Sequence, residues 1–264
     1  MSSLVAKSRR NALVIGALVV ALLSGCASTP REPDTRETYD PFEPLNRKVW
    51  AFNQAADRMV LRPIARGYDT VVPQPAKWGI ANVFDNLSTP LWALNHLLQG
   101  DVLEAGKQTG RFVLNSTLGL LGIWDPAGDA GLQKDRASFD QTFGKWGIPS
   151  GPFVMLPFLG PSSVRGGVGI YARYETDIVW NRLDDNRSLR DKLVALEIID
   201  TRRRLLPLDN MIERAPDSYI FVREAYRQRS EYSIRGPGRP DDDVSLDFED
   251  EDWGDDWEDY PEEP

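Results

Sequence analysis

The stretch Gly147-Ile-Pro-Ser-Gly-Pro-Phe-Val-Met-Leu-Pro-Phe-Leu-Gly-Pro-Ser-Ser-Val164 holds eighteen consecutive residues without a charged side chain. Its length and apolarity point to a bilayer. Pro149, Pro152, Pro157 and Pro161 exclude a continuous helix, because each removes a backbone donor and crowds the preceding turn, at about 3 kcal/mol in a helix interior. A re-entrant or hairpin-like segment is what remains. Such backbone is tolerated at membrane depth only where its polar groups are buried in protein or line a watery cavity, so the segment calls for a cavity beside it. A long buried loop in a water-soluble core is the alternative.

A second uncharged patch, Leu118-Gly119-Leu120-Leu121-Gly122-Ile123-Trp124, lies upstream. Trp50, Trp78, Trp92, Trp124, Trp146 and Trp180 are spread around both. Indole rings suit either a core or a bilayer interface.

The remaining periodicity is helical, so the expected fold is all-α. Leu45, Val49, Phe52, Ala56 and Met59 form one apolar face until Pro63 interrupts. Trp78, Ala81 and Phe84 suggest a short helix, after which Ser88-Thr89-Pro90 suggests a cap and a new start before Leu91, Leu94, Leu97 and Leu98. Gly100 is the expected stop. Asp101 with Glu104 resembles a capping box for a helix that carries Gly106 and Gly110 on one face and runs to about Ser116. Ser188 reads as the cap of a water-soluble helix with Leu189, Leu193, Leu196 and Ile199 that ends at Pro207. A last helix begins near Pro216 and brings Tyr219, Val222 and Tyr226 together.

At the N-terminus, Lys7, Arg9 and Arg10 precede an apolar run from Ala12 to Leu23, too short to span a membrane and read as a signal peptide over residues 1–25. Leu23-Ser24-Gly25-Cys26 follows, and Cys26 is the chain's one cysteine. The four residues resemble the lipobox of bacterial lipoproteins, which implies diacylglyceryl attachment at the Cys26 thiol; as the one cysteine it can form no intramolecular disulfide. The two or three acyl chains of a processed lipoprotein anchor stably where one chain binds only reversibly. Residues 26–39, with Pro30 and Pro33, form a tether. A helical domain then occupies 40–235.

Fourteen of the 40 acids and none of the 31 bases fall between Asp241 and Pro264. The net charge of -9 thus belongs to the tail, and the body is too evenly charged for a nucleic-acid footprint. Residues 236–264 read as a disordered, solvated extension, with docking of a basic partner surface as the alternative.

Groups for catalysis are poorly supplied. The single histidine, His96, sits among leucines and reads as packed, and Cys26 is consumed by lipidation. Asp125 with Asp129, or Asp184 with Asp185, could serve as acid and base, but surface or capping roles are the better default. Neither a nucleophile elbow nor a phosphate-binding Gly-Lys loop is present, and no cofactor is expected beyond the acyl chains.

Motifs spread over the domain resemble the MlaA (VacJ) lipoproteins of the outer membrane. They include Asp40-Pro41-Phe42-Glu43-Pro44-Leu45-Asn46-Arg47, Phe52-Asn53 with Asp57, Leu97-Leu98-Gln99-Gly100, Arg111-Phe112 with Asn115, Gly151-Pro152, Leu156-Pro157, Leu159-Gly160-Pro161-Ser162-Ser163 and Ala225-Tyr226. The chain departs from the usual pattern at Asn82-Val83 and Arg165-Gly166. The resemblance implies a ring-like bundle of amphipathic helices embedded in the inner leaflet of the outer membrane and bound to a trimeric porin. It implies passage of phospholipids from the outer leaflet through an amphipathic channel to a soluble periplasmic carrier, preserving lipid asymmetry without enzymatic chemistry. Pro149, Gly151, Pro152, Leu156, Pro157, Gly160 and Pro161 would then form the channel wall or its gate. A porin-bound scaffold without lipid transport is the competing function.

Overall fold

A computed structural model describes residues 40–177, 180 and 186–236. The leader, Cys26, the tether, Asp184, Asp185 and the acidic tail lie outside the described residues. Helix α1 (Glu43–Ala56) passes through a π-helical turn (Asp57–Leu61) into α2 (Arg62–Val71). Pro63 therefore does not interrupt the periodicity as the sequence suggests. The Arg62 N–H reaches back five residues to the Asp57 carbonyl, and the widened turn gives the proline ring room at the start of α2.

Helix α3 (Gln74–Leu98) is one 25-residue helix where two are expected. Ser88 and Thr89 are buried in its middle, and Thr89 Oγ1 donates to the Asp85 carbonyl at 2.8 Å rather than capping a new start. Packing along α4 (Val102–Thr117) keeps α3 whole across Pro90. Tertiary contact overrides the local penalty of about 3 kcal/mol. The stop at Gly100 is as read: Gly100 takes φ +83°, and the N–H groups of Gly100 and Asp101 bond the Leu97 and His96 carbonyls at 3.0 and 2.9 Å. That pair of bonds is a Schellman motif. Asp101 caps α4 through the Glu104 N–H at 2.9 Å, whereas the Glu104 carboxylate turns to Lys107 and Gln108.

The uncharged Leu118–Trp124 loop follows α4 with Leu120, Leu121 and Gly122 all at positive φ. A Cβ on Gly122 would lie 2.5 Å from the Asn86 Cβ, and one on Gly119 would lie 2.4 Å from the Trp124 carbonyl oxygen. At Gly106 and Gly110, by contrast, an added Cβ would have nothing within 4 Å, so that pair brings no backbone close within the described chain.

Short α5 (Pro126–Asp129) and α6 (Phe139–Lys145) precede the proline-rich segment. There the all-α expectation meets its one exception among the described residues: strands β1 (Phe153–Leu156) and β2 (Gly160–Ser163) form an antiparallel hairpin, Phe153 opposite Ser163 and Leu156 opposite Gly160. Helices α7 (Val164–Thr176), α8 (Arg187–Arg204), α9 (Asp209–Arg214) and α10 (Ser218–Arg235) complete the domain. Asn186, not Ser188, caps α8, accepting from the Leu189 N–H at 3.2 Å. The helix starts two residues earlier than read, which leaves Ser188 inside its first turn. Asp217 caps α10. None of the described helices is long and apolar enough to cross a membrane.

The contrast between the glycines is testable. Gly122→Ala should lower unfolding free energy by about 1–3 kcal/mol through strain and collision, whereas Gly106→Ala, in open space in a helix, should raise it by up to about 1 kcal/mol. Thermal unfolding of the two variants in detergent reads the opposite signs.

Candidate functional site

Burial in this domain is inverted. Among the described residues, nineteen polar or charged side chains are buried against ten apolar ones, the reverse of an ordinary core. Large apolar side chains lie outside instead. Along α1 and the π turn after it, the apolar stripe is exposed at Leu45 (61%), Phe52 (49%) and Met59 (74%), while Asn46, Asn53 and Asp57, about 100° or more round the helix, make inward hydrogen bonds. In the second apolar patch, Leu118, Leu121 and Trp124 are each more than 60% exposed. Trp78 and Trp146 are also mostly exposed, and Trp92 is buried.

The proline-rich hairpin is held on this polar face of α1. The Asn46 carboxamide accepts from the Met155 N–H at 2.9 Å and donates to the Phe153 carbonyl at 3.1 Å. Two turns on, Asn53 donates to the Leu156 carbonyl and accepts from the Phe158 N–H, both at 2.9 Å. Each amide thus serves the open edge of β1 as a neighbouring peptide would. Phe158 at the hairpin tip holds φ +62°, 72% exposed, with its ring edge-on to Phe52 at 5.1 Å. Behind the strand, Phe153 and Met155 pack against Tyr219. Burial first, and then the Asp40 carboxylate, push the Tyr219 phenol upward, so it remains a donor to Asp40.

The predicted hairpin residues fall into distinct places. Pro149, Gly151 (φ +69°) and Pro152 form the approach, with the Pro152 carbonyl accepting from the Val164 N–H at 3.2 Å. Leu156, Pro157 and Gly160 (φ +84°) frame the tip, and Pro161 faces Met155. At the base, buried Arg165 donates to Asp140 at 2.7 Å and to the Ile148 carbonyl at 2.9 Å. Gly166 beside it is closely packed: a Cβ there would lie 2.7 Å from Ser162 Oγ and 2.8 Å from Tyr226 Oη, so those hydroxyls would have to shift.

Two ionic clusters tie the outer helices together. Arg202 donates to both Asp57 oxygens at 2.6 and 2.9 Å and to Asp209 at 2.8 Å, and Arg62 joins from the first residue of α2. Arg111, 2% exposed, grips both oxygens of Asp125, which also caps α5 and accepts from Asn115 at 2.7 Å. Burial alone would raise both carboxyls, but the guanidiniums hold Asp57 and Asp125 below the usual carboxylate range. Asp125 is therefore committed to structure. His96 is buried, with Nε2 3.2 Å from the Asp135 carbonyl oxygen. The anchoring role of Asn46 and Asn53 escapes the motif reading, although their seven-residue spacing, with Asp57 four further on, marks a polar stripe along α1.

These features define a helical protein that presents apolar surface and keeps its polar groups inside. Residues 38–233 match the family of MlaA lipoproteins. The chain is 37% identical over 235 residues to the intermembrane phospholipid transport system lipoprotein MlaA of Escherichia coli K12, covering 87% of this chain and 90% of that one. Identity to the Haemophilus influenzae protein of the same name is 30% over 227 residues, covering 84% and 90%. A solved structure described as the structural basis for maintenance of bacterial outer membrane lipid asymmetry matches with a TM-score of 0.67 at 34% identity, covering 74% of this chain and 99% of that one. The chain belongs to the MlaA lipoprotein family.

Asn46→Ala should destabilise the domain by about 2–4 kcal/mol, since it leaves a buried donor and a buried acceptor of β1 unpaired; chemical denaturation in detergent measures it. Acid should also unfold the domain. The folded carboxyls of Asp57 and Asp125 sit below their ordinary value of 3.8, so the stability they contribute is complete above that value and is lost as pH falls through the depressed one. Asp57→Asn should flatten this acid limb in a pH series of unfolding midpoints.

Proposed function

We propose that this chain is an outer-membrane lipoprotein, acylated at Cys26, that takes phospholipids from the outer leaflet and passes them through a polar-lined passage to a soluble periplasmic carrier. The observation that carries the reading is the inverted burial: large exposed apolar residues such as Phe52, Met59, Leu121 and Trp124 surround an interior of buried Asn, Gln, Arg and Asp side chains. Extensive exposed apolar surface marks contact with lipid or another protein, and a charged head group crosses hydrocarbon slowly unless a polar route removes the desolvation penalty. Tyr68 Oη and Arg202 Nη1 are buried without hydrogen-bond partners among the described residues, a demand that water in such a passage would meet.

In this reading the helices form a ring within one leaflet, and the hairpin residues Pro149, Gly151, Pro152, Leu156, Pro157, Gly160 and Pro161 form wall or gate. A trimeric porin would cover part of the apolar exterior. The names of the relatives and the description of the solved structure support lipid transport as the task. No covalent step is required of the protein, consistent with Asp125 and His96 being engaged in packing and capping.

The test is a leaflet assay in cells lacking the gene, complemented with the wild type or with Cys26→Ala. Outer-leaflet phospholipid should fall with the first and not with the second. Equal lipid with and without the protein would leave only a porin-bound scaffold. Removal of residues 241–264 should leave carrier affinity unchanged at low salt, and a loss there would assign the acidic tail to docking.

A further inference from the structure

Between α1 and the turn joining α9 to α10 lies a cleft of about 560 Å³, well within the size of small-molecule sites, which run from roughly 300 to 1,000 Å³. Arg47, Gln54, Arg58 and Arg62 line one wall, and Glu213 and Asp217 stand on the other. Two of the three guanidiniums are already engaged. Arg47 pairs with Glu43 and Asp217, and Arg62 pairs with Asp57, Asp209 and Glu213. Arg58 and Gln54, one helical turn apart, make no side-chain hydrogen bond or ion pair within contact distance among the described residues, and the Arg58 charge reaches Glu213 only through space, where it adds to the arginines that hold that carboxyl below the usual range. Opposite them, Glu213 is bonded through Oε1 alone, and its side chain is 53% exposed.

A free guanidinium beside a free carboxamide is a donor set for a phosphodiester, because the planar fork matches two phosphate oxygens. A carboxylate facing that set suits a cation held on the same ligand. Together they fit a phosphate joined to an ammonium, the zwitterion of phosphoethanolamine. The ligand's other end is indicated by α1 itself. Phe52 and Met59, about a third of a turn round the helix from Arg58, are 49% and 74% exposed. Acyl chains can lie along that face while the head group enters the cleft.

We infer that the cleft is a head-group subsite for a zwitterionic aminophospholipid, with Arg58 and Gln54 on the phosphate and Glu213 on the ammonium. The inference rests on the phospholipid-transport reading and gives it a head-group preference.

The acylated full-length protein is mixed with vesicles of phosphatidylethanolamine or of phosphatidylglycerol, or with free glycerophosphoethanolamine, and bound ligand is counted by mass spectrometry. Arg58→Gln should reduce retention of both lipids roughly tenfold, the loss of one charge-assisted contact, and Arg58→Lys, which keeps the charge without the fork, should restore only part of it. Glu213→Gln should reduce phosphatidylethanolamine several-fold and leave phosphatidylglycerol unchanged. Because the Arg58 guanidinium makes no hydrogen bond or ion pair among the described residues, its variants should keep the wild-type unfolding midpoint. Arg58→Gln binding both lipids like the wild type overturns the subsite, as does Glu213→Gln weakening both lipids alike. Free glycerophosphoethanolamine binding as tightly as the vesicle lipid would assign the cleft to a soluble phosphodiester instead. A wild-type protein that retains no phospholipid from any vesicle overturns the transport reading itself.

Discussion

Two side-chain amides on one helix hold a strand that has no third strand to pair with. An isolated two-stranded hairpin is marginal in water and more exposed still where water is scarce, because the open edge of each strand presents unpaired peptide groups. Asn46 and Asn53 answer this on the outer edge of β1, each supplying one donor and one acceptor. The spacing of seven residues places both on one line of α1, and the strand lies along that line. From this docking follow the positions of Phe153 and Met155 against Tyr219, hence of α10, and of Arg165 against α6.

With Asn46 and Asn53 turned to the hairpin and Val49 and Trp50 packed beside it, Leu45 and Phe52, about 100° round α1 from the asparagines, are left exposed. The same inversion runs through the ionic clusters, in which Asp57 and Asp125 are each gripped by an arginine that is itself largely buried. Buried ion pairs seldom stabilise a protein more than well-packed apolar residues would, since desolvation offsets attraction. They do fix geometry, because a half-satisfied network is strongly unfavourable and only one arrangement satisfies every member. The fold thus owes its uniqueness to directional contacts, while nonspecific apolar attraction is left to the exterior.

Helix content, the Gly100 stop, the Asp101 cap and the start of α10 were legible from local chemistry, since each depends on residues within one turn. The continuity of α3 across Pro90 and of α1 into α2 across Pro63 was not, because the first depends on packing along α4 and the second on a π turn that no propensity encodes. The hairpin was legible as a segment, since four prolines and an absence of charge leave few alternatives. Its fastening was not, because the partners of Asn46 and Asn53 lie more than a hundred positions away in the chain. The free pair Gln54 and Arg58 was hidden for a similar reason: an arginine's availability depends on which neighbours have claimed the nearby carboxylates.

The outward apolar stripe has a consequence for the life of the molecule before it reaches its place. Exposed residues such as Leu45, Phe52 and Met59 leave the finished domain with apolar surface alongside its charged one, so completing the fold in an aqueous compartment does not by itself remove the tendency of copies to associate. Its lifetime there is governed by how quickly copies meet one another, a rate that rises with concentration, rather than by the depth of its energy well. Apolar surface that survives folding is covered only when lipid or another protein meets it.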